Sequence, residues 1–292
     1  MNIIYFKGGL GNQMFQYALY KELESCGRVY NRVNTDWYLD ETRGVRFELN
    51  KVFPNIHLKY DKKQAFEKRR SWYLKVRKDR DWIAYINYHI PQLCIYFNEN
   101  EDGICDKRVF GLKNAAINGY WQTEKYFKHV VDILHRDFTF SYGEEKLQKW
   151  KERLLTDNNS VAIHIRRGDY LENANIFGNL SESMYYKKAI DFIKTKISHP
   201  NYIFFSNDIP WVKDNYLFEN AVYIEKNMFD NYQSWYDMCL MSCCTHNIIA
   251  NSSFSWWGSW LSDKNNKIVI APREWIIGKK TSDIWCDNWV LI

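Results

Sequence analysis

The chain has 292 residues, a length that accommodates either one large domain or two domains of ordinary size. Hydrophobic residues make up 46% of the chain, which excludes a disordered protein, and the net charge of +5 is too small to demand a nucleic-acid role. Aromatic residues reach 17%, a content that fits core packing, which we favour, or stacking against a carbohydrate or nucleotide.

The first half of the chain begins with a strand-turn-helix-strand pattern. A strand is predicted at 3–6, a helix from about 12 to 25 after a glycine-rich turn, and a second strand at 29–33. The elements predicted after these are a basic amphipathic helix within 58–91, a strand at 115–121, a helix from 123, and a boundary helix with its linker in 143–159.

The second half alternates regularly between strands and helices. Strands are predicted at 160–165, 202–206, 221–224, 247–250 and 267–271, and the helices between them lie near 183–195, after 206, at 232–244 and from 253. This alternation favours a parallel, doubly wound sheet. We therefore predict an α/β protein with two Rossmann-like domains, residues 1–150 and 151–292, which face each other across a cleft.

The cysteines and the start of the chain bear on its compartment. The seven cysteines are odd in number, lie mostly in apolar contexts, and have no histidine at zinc-ligand spacing. The first residues lack the features of a signal peptide, and no apolar run reaches membrane-spanning length. We expect reduced thiols, no zinc site and a cytoplasmic protein.

Two adjacent arginines, Arg166 and Arg167, directly follow the predicted strand 160–165. Ligands of open parallel sheets bind beyond the carboxyl ends of the strands, and guanidinium groups match phosphate oxygens in pairs. The pattern indicates a diphosphate site. The structural alternative is an arginine-carboxylate network, for which Asp169 is a candidate.

A second candidate anion site is the turn Asn251-Ser252-Ser253, between the predicted strand 247–250 and a helix. Hydroxyl side chains and backbone N–H groups at a helix N-terminus bind anions, although ordinary capping has the same pattern. We expect this turn and the two arginines to lie at the ends of adjacent strands. Together they would form the two halves of one diphosphate site. The tryptophans that follow, Trp256, Trp257 and Trp260, are predicted to be core residues.

The third candidate segment is the glycine-rich turn Gly8–Gln13. It lacks the Lys-Ser/Thr of a P-loop, which disfavours a nucleoside triphosphatase. As a dinucleotide fingerprint it is incomplete, because Met14 stands where the third glycine belongs, yet Asp36 near the end of the next strand keeps that alternative open. We favour the interpretation that these glycines allow the backbone to approach a ligand closely.

Four segments, taken in order, resemble the motifs of the α-1,2-fucosyltransferases, glycosyltransferase family 11. These are GGLGNQMFQYA (8–18), GYWQTEKYF (119–127), HIRRGDY (164–170) and NSSFSWWGSWL (251–261). The resemblance implies a two-domain GT-B fold. It also implies an inverting, metal-independent transfer of L-fucose from GDP-β-L-fucose to the 2-hydroxyl of a galactoside.

The resemblance makes Arg166 the indispensable catalytic residue, and Asp169 completes the site as a candidate base or as the carboxylate that orients an arginine. The residues expected to bind the donor are His164, Arg167, Asp208, Asp237, Asn251, Ser252, Ser253, Phe254, Gly9, Gly11, Asn12 and Gln13. The residues expected to line the acceptor cleft are Tyr120, Trp121 and Gln122.

Asp237 is the candidate guanine ligand. Guanine presents adjacent N1–H and N2–H donors, which one carboxylate can accept. An Asp at matching spacing before the serine-rich turn binds guanine in the distantly related α-1,6-fucosyltransferases, and the alternative is a solvent-facing carboxylate at a helix start. Asp208, after the predicted strand 202–206, is a second candidate, for the base or the ribose.

The predicted chemistry needs no metal. Breaking the fucosyl-phosphate bond leaves negative charge on the β-phosphate and an oxocarbenium-like sugar, and Arg166 with the Ser252-Ser253 helix end can stabilise that charge. Asp79-Arg80-Asp81 matches the metal-binding string of other glycosyltransferases, but no strand precedes it, and we interpret it as a solvated helix face. The departing phosphate can receive the acceptor proton.

Other functions and partners stay open at this point. A nicotinamide-dependent dehydrogenase and a non-catalytic glycan-binding protein are the alternatives. The basic, aromatic residues 62–82 fit either a solvated helix or peripheral contact with the inner face of a membrane. Without an anchor, we expect a bacterial enzyme that modifies a surface polysaccharide or a lipid-linked repeat unit.

Overall fold

The computed structural model describes residues 1–27, 30–61, 64–77, 81–100 and 103–292, without the side chains of Asp81, Ala84 and Asp169. The chain divides into two units. The N-terminal unit comprises Met1–Thr139 and Thr281–Ile284, and the C-terminal unit comprises Phe140–Lys280 and Trp285–Ile292. Each unit contains a parallel sheet with helices, which confirms the α/β class.

The described part of the N-terminal unit has a four-stranded parallel sheet in the order β2-β1-β4-β3. Its strands are β1 (Asn2–Tyr5), β2 (Asn31–Asn34), β3 (Tyr96–Asn98) and β4 (Ala116–Asn118). Its helices are α1 (Leu10–Ser25), α2 (Leu49–Val52), α3 (Ala65–Arg77), α4 (Asp81–His89) and α5 (Val131–Asp137).

The helix α1 forms the core of this unit together with the sheet. It is buried along most of its length, and the buried hydroxyl of Tyr17 donates to Asp137 at the end of α5, at 2.7 Å. The buried strand residues Ile3 and Ile4 explain why a short apolar run forms the central strand. The sequence missed β3, whose three residues are too few to show a periodic pattern.

The C-terminal unit has a six-stranded parallel sheet in the order β10-β9-β8-β5-β6-β7 in its described residues. Its strands are β5 (Ser160–Ile165), β6 (Asn201–Ser206), β7 (Ala221–Tyr223), β8 (His246–Ile248), β9 (Val269–Ala271) and β10 (Val290–Leu291). Its helices are α6 (Glu145–Thr156), α7 (Asp169–Glu172), α8 (Ala174–Phe177), α9 (Tyr185–Lys196), α10 (Ile209–Asn215), α11 (Trp235–Cys243) and α12 (Ser253–Trp260).

The boundary between the units differs from the predicted position at residue 150. It falls after Thr139, because α6 packs against α11 within the C-terminal unit. The ring of Phe140 stacks on Trp235 at 5.8 Å, and Glu144 accepts hydrogen bonds from two backbone N–H groups of the loop before α11. The segment Thr281–Ile284 also belongs to the N-terminal unit, which the predicted ranges did not anticipate.

Two further observations concern cysteines and membrane helices. The seven cysteines are all free thiols, and five of them are buried. No helix among the described residues has both the length and the apolar character needed to cross a membrane.

Candidate active site

The carboxyl ends of β5 and β8 lie side by side in the C-terminal sheet. Ala162 pairs with Asn247, and Ile163 pairs with Ile248, in parallel register. The chain extends from β5 to β6 and β7 on one side and then returns to place β8 on the other, so strand order reverses between β5 and β8. Ligands of doubly wound sheets bind at such a point. The expectation that the arginines and the serine turn follow adjacent strands is confirmed.

Arg166 and His164 lie at the end of β5. Arg166 is half-buried, with its guanidinium carbon 5.6 Å from the ring centroid of Tyr170. Burial, together with the charge of Arg166, lowers the pKa of His164 to about 3, so its imidazole is neutral at physiological pH. The Nδ1 atom of His164 is buried and has no hydrogen-bond partner among the described residues.

Arg167 is held by other residues of the protein. Its Nε donates to Asp208 at 3.0 Å, its Nη1 donates to the Ser181 hydroxyl at 2.8 Å, and its guanidinium lies 3.9 Å from the ring centroid of Trp211. Its backbone N–H donates to Asn207 at 2.9 Å. The structure thus contains the arginine-carboxylate network that the sequence left open, with Asp208 as the partner of Arg167.

Asp208 serves this network and also begins a helix. Its Oδ1 accepts from the backbone N–H of Trp211, which makes Asp208 the N-cap of α10. Both carboxylate oxygens therefore have partners within the unit. Arg167 and Asp208 therefore hold the segment after β5 in place, and the contact of Arg166 with a ligand stays a prediction.

The serine turn after β8 has the predicted helix-start geometry. Ser252 is the N-cap of α12, and its hydroxyl accepts from the backbone N–H of Phe254 at 3.3 Å. Ser253, half-buried, is the first helical residue. The side chain of Asn251 donates to the carbonyls of Phe177 and Trp275, so Asn251 fixes the turn.

One residue of the segment 164–170 links the two strand ends. The hydroxyl of Tyr170 donates to the backbone carbonyl of Asn251 at 3.0 Å, and its ring stacks on Phe177 at 4.5 Å. The ring of His164 lies 5.8 Å from that of Phe254, the residue after Ser253. The segments after β5 and β8 therefore form one connected surface.

Asp237 lies in the first turn of α11, with a perturbed carboxyl group. Burial raises the pKa of Asp237 to about 7, while a hydrogen bond from the Tyr232 hydroxyl and the charge of Lys226 act against that rise. The Oδ1 atom is buried and has no hydrogen-bond partner among the described residues. A buried carboxyl group with an unmatched acceptor is typical of a functional site.

The N-terminal unit brings its two motifs together in the same way. The sheet order reverses between β1 and β4, and the turn Gly8–Gln13 follows β1 while residues 119–122 follow β4. The side chain of Gln122 donates to Asn12 Oδ1 at 2.7 Å, which connects the two segments. Tyr120 is half-buried, and Lys7 Nζ lies 4.2 Å from its ring centroid.

Gln13 holds the glycine turn in place. Its Nε2 donates to the carbonyls of Gly8 and Arg46, and its Oε1 accepts from the N–H groups of Glu48 and Leu49. Gln13 is fully buried and both ends of its amide are occupied, so this geometry gives it a structural role rather than a donor-binding one. Gly11 is also buried, whereas Gly9 is exposed and Asn12 is half-buried.

Trp121 does not line a cleft, contrary to the prediction. It is fully buried, stacks on Phe97 at 6.2 Å and meets Tyr126 edge to face. Its φ of 60° lies in the left-handed region, and the buried Glu99 holds this turn by accepting from the N–H groups of Tyr120 at 2.7 Å and Trp121 at 3.0 Å. The sequence contained no signal for Glu99, because its partners lie more than 20 residues away.

The remaining predicted residues can be placed briefly. Trp256, Trp257 and Trp260 are buried, as expected for core residues. Residues 79 and 80 and the side chains of Asp81 and Asp169 lie outside the described residues, although the backbone of Asp169 begins α7. Across the part of the chain that the structure describes, no three His, Cys, Asp or Glu side chains are grouped as metal ligands would be.

Comparisons with known proteins bear on the identity of this site. The family model described as "Glycosyl transferase family 11" matches residues 1–292. The O-antigen biosynthesis glycosyltransferase WbnK of Escherichia coli is 32% identical over 97% of both chains. An alpha-1,2-colitosyltransferase of Escherichia coli is 31% identical, over 98% of this chain and 96% of that protein.

Two further comparisons show lower similarity. The human galactoside alpha-(1,2)-fucosyltransferase 1 is 24% identical over 158 residues, which cover 50% of this chain and 42% of the human protein. The crystal structure of the fucosyltransferase NodZ from Bradyrhizobium aligns with a TM-score of 0.47 at 12% identity, over 88% of this chain and 91% of that one.

Proposed function

The chain belongs to glycosyltransferase family 11, and we propose that it transfers L-fucose from GDP-β-L-fucose to the 2-hydroxyl of a galactoside, with inversion and without a metal ion. The observation that carries this proposal is that Arg166 and the Ser252-Ser253 helix start follow the neighbouring strands β5 and β8, at the point where the C-terminal sheet reverses its strand order. The family membership favours this activity over a dehydrogenase or a non-catalytic glycan-binding protein.

The leaving group sets the electrostatic task of the site. The acceptor 2-oxygen attacks the anomeric carbon, and the electron pair of the bond to the β-phosphate departs with GDP. The negative charge on that phosphate grows in the transition state, so donors aimed at it lower the barrier. Arg166 supplies two parallel donors, and the N-terminus of α12 supplies backbone N–H groups and the dipole of the helix.

The proposed donor site also contains groups suited to guanine. The neutral His164 can donate or accept a hydrogen bond without carrying charge, since burial keeps its pKa low. Asp237 offers an unmatched buried acceptor that guanine N1–H and N2–H would satisfy. Arg167 and Asp208 contribute by fixing the backbone from which Arg166 extends.

Two parts of the mechanism follow from charge alone. The fixed guanidinium of Arg166 neutralises the departing diphosphate, the task that a divalent cation performs in metal-dependent transferases. The departing phosphate accepts the acceptor proton late in the reaction. The roles proposed for Asp169, whose side chain lies outside the described residues, are to orient an arginine or to assist this proton transfer.

The N-terminal unit is proposed to bind the acceptor. Tyr120 and Gln122 are half-buried after the end of β4, and Gln122 donates to Asn12, which follows β1. Gly9, Gly11 and Asn12 stay predicted donor-binding residues. Amide groups and an aromatic ring are the side chains that recognise sugar hydroxyls and the apolar face of a sugar ring.

Product analysis tests the proposed function. The protein is incubated with GDP-fucose and a panel of oligosaccharides that end in β-galactose, and the product linkage is determined by NMR. We expect an α-1,2-linked fucosyl-galactoside together with free GDP. Transfer to another position, or release of GDP without a glycoside product, would contradict the proposal.

One relative supports a second donor. Colitose is L-fucose without its 3-hydroxyl group, and a relative of nearly the full length is named as an alpha-1,2-colitosyltransferase. GDP-colitose therefore belongs in the same assay. A kcat/KM for GDP-colitose above that for GDP-fucose would identify colitose as the sugar transferred.

A relative and a helix support a proposal for the acceptor class and the location of the protein. One relative is named for O-antigen biosynthesis, which supports a surface polysaccharide or its lipid-linked precursor as acceptor. The helix α3 exposes Trp72 and the basic residues Lys68, Arg70 and Lys75, a composition that suits contact with anionic lipid. Salt-sensitive sedimentation with anionic liposomes is expected, and its absence would leave α3 as a solvated helix.

A further inference from the structure

A cavity of about 310 Å³ lies along the outer strand of the N-terminal sheet. The strand β3 supplies Tyr96 and Asn98, while the helices α3 and α4 supply Tyr73 and Tyr88. The volume is at the lower end of the range for ligand sites, which suits a single sugar ring better than a whole nucleotide sugar. None of the residues predicted for catalysis or for donor binding lines this cavity.

One wall of the cavity is rigid. The guanidinium of Arg108 lies 3.8 Å from the ring centroid of Tyr88, and its Nη1 donates to the Tyr88 carbonyl at 3.4 Å. The carboxylate of Asp106 accepts from Arg108 Nε at 2.8 Å and also from its Nη2. Because Asp106 neutralises this guanidinium, the wall is polar and pre-ordered without being a strong anion site.

The lining matches the chemistry of a sugar ring. Three tyrosines provide aromatic rings, and Asn100 adds an amide group that is both donor and acceptor. The amide of Asn98 donates to Glu99 O and accepts from Asn118, so Asn98 shapes the wall. Asn87 is committed to the strand, since its amide bonds Tyr96 O and Ile95 N, so it fixes the wall rather than meeting a ligand. Arg77 also lines the cavity, so the lining combines aromatic rings, an amide and a guanidinium, which suits a pyranose ring, neutral or acidic, better than a hydrocarbon.

The cavity is structurally continuous with the proposed acceptor loop. Asn118 at the end of β4 donates to Asn98 Oδ1 at 2.6 Å, and β3 and β4 are neighbouring strands whose carboxyl ends share one edge. Glu99, between the lining residues Asn98 and Asn100, accepts from the N–H groups of Tyr120 and Trp121. The same short segment therefore shapes the cavity and the loop.

We infer that this cavity binds a sugar residue of the acceptor other than the galactoside that receives fucose. The inference rests on the proposed function, because it takes an oligosaccharide as the acceptor. The enzyme would then select a longer glycan by a site remote from the reacting hydroxyl, and would bind methyl β-galactoside without using the cavity.

Two variants and a matched control test the inference. Tyr88→Ala removes the exposed ring of the wall, Asn100→Ala removes an amide, and Tyr85→Ala removes an exposed ring of the same helix that does not line the cavity. Each variant is assayed with methyl β-galactoside and with the tetrasaccharide ending in β-galactose that the wild type uses fastest.

We expect Tyr88→Ala and Asn100→Ala to lower kcat/KM for the tetrasaccharide about tenfold, mainly through KM. Their kinetics with methyl β-galactoside, their KM for GDP-fucose and all constants of Tyr85→Ala should match the wild type. Equal losses with both acceptors, or no loss with the tetrasaccharide, would overturn the inference.

A binding measurement separates this inference from the proposed function. Saturation-transfer NMR with the same tetrasaccharides reports contact without transfer. If the wild type binds a tetrasaccharide through Tyr88 but forms no fucosylated product, the proposed function fails and the cavity stands as a sugar site. If fucose is transferred while the contact is unaffected by Tyr88→Ala, the cavity assignment fails alone.

Discussion

The neighbouring arginines Arg166 and Arg167 have different surroundings in spite of their shared motif. Arg167 is nearly buried and bonds Asp208 and Ser181, whereas Arg166 is half-buried beside Tyr170. Sequence alone could place both at the end of a strand, because a buried apolar run precedes them. It could not separate their roles, because Asp208 and Ser181 approach Arg167 only through the fold.

Lysine substitutions should distinguish the two arginines. Arg166→Lys keeps the charge but loses the planar fork, so we expect kcat to fall about a hundredfold or more with unchanged stability. Arg167→Lys loses bonds to Asp208 and Ser181, so we expect the free energy of unfolding to fall by about 1–3 kcal/mol. Steady-state kinetics and denaturant unfolding measure both effects.

Arg153→Lys on the exposed face of α6 is the matched control and should change neither quantity. A wild-type kcat in Arg166→Lys would show that the phosphate site is assigned wrongly. A loss of stability in Arg166→Lys as large as that in Arg167→Lys would make Arg166 a structural residue.

Asp237 gives the donor site a pH dependence with a definite sign. Its pKa is raised to about 7 by burial, so below that pH the carboxyl is protonated and loses an acceptor for guanine. The affinity for GDP-fucose should therefore weaken as pH falls through about 7. GDP-fucose is the suitable probe, because GDP has a terminal phosphate that itself titrates near pH 6.

The same shift predicts the pH dependence of stability in the absence of ligand. Because the pKa of Asp237 is higher in the folded protein, the folded protein binds more protons than the unfolded chain between the ordinary Asp pKa and about pH 7. The stability that Asp237 contributes is therefore lost as pH rises through this range. Asp237→Asn should remove this dependence.

Calorimetric titration tests the assignment of Asp237. Asp237→Ala should weaken binding of GDP by about 2–4 kcal/mol and narrow the preference for GDP over ADP. Unchanged GDP affinity in a folded Asp237→Ala variant would remove this residue from the site, and so would a pH profile for GDP-fucose shared by wild type and Asp237→Asn.

At the scale of elements, the adjacent glycines Gly8 and Gly9 in the turn after β1 differ in backbone conformation and in the space around them. Gly8 has a φ of 80°, and a Cβ atom there would lie 2.5 Å from Asn12 Nδ2. Gly9 has an extended φ of −71°, and a Cβ atom would meet nothing within 4 Å. The sequence predicted a backbone close to a ligand, but it could not tell which glycine the turn itself requires.

Alanine at each position separates folding from binding. Gly8→Ala should lower the free energy of unfolding by about 1–2 kcal/mol, because the left-handed conformation is costly for alanine. Gly9→Ala should fold normally and raise KM for a substrate, since its new methyl group occupies the space where the backbone is open. Thermal unfolding with steady-state kinetics gives both results.

A reversed outcome, with Gly9→Ala unstable and Gly8→Ala stable, would contradict the geometry of this turn. Normal kinetics in a stable Gly9→Ala variant would mean that no substrate approaches this backbone. The two residues are neighbours in one loop, so each variant serves as the control for the other.

Sequence patterns predicted most strands and helices of the C-terminal unit, because β5, β8 and β9 are buried and α6 and α9 are amphipathic. The strand 160–165 agrees residue for residue, whereas the predicted α11 begins at 232 and the observed helix begins at Trp235. The loop before that helix is held instead by Glu144, whose contact with Asp230 and Asn231 spans more than 80 residues. Such contacts leave no local pattern.

The whole molecule repeats one arrangement in two units. In each sheet the first strand of the unit is internal, strand order reverses beside it, and two of the quoted motifs follow the strands on either side of the reversal. The sequence predicted a strand directly before the segments 8–18 and 251–261, and strands that overlap the starts of the segments 119–127 and 164–170. It could not predict the strand order, because which side of β5 receives β8 depends on how the connecting helices pack.

The sequence also could not predict that the segment Thr281–Ile284 belongs to the N-terminal unit. Ile284 and Thr281 are buried there, and Asp283 accepts from the backbone of Cys105 at 2.9 Å and from Lys125 at 2.6 Å. These partners lie more than 150 residues earlier in the chain. A domain boundary drawn from local composition cannot include such a segment.

The charge balance of the whole reaction leads to a test of metal dependence. A departing diphosphate needs positive charge, which other transferases obtain from a divalent cation and which we assign here to Arg166 and the α12 N-terminus. We therefore expect excess EDTA to leave the rate of fucosyl transfer nearly unchanged, with no stimulation by added Mg²⁺ or Mn²⁺. A metal-dependent glycosyltransferase assayed in the same buffer controls for complete chelation. Loss of activity in EDTA that only Mg²⁺ or Mn²⁺ restores would assign the leaving-group charge to a cation, and the effect of Arg166→Lys would then need another explanation.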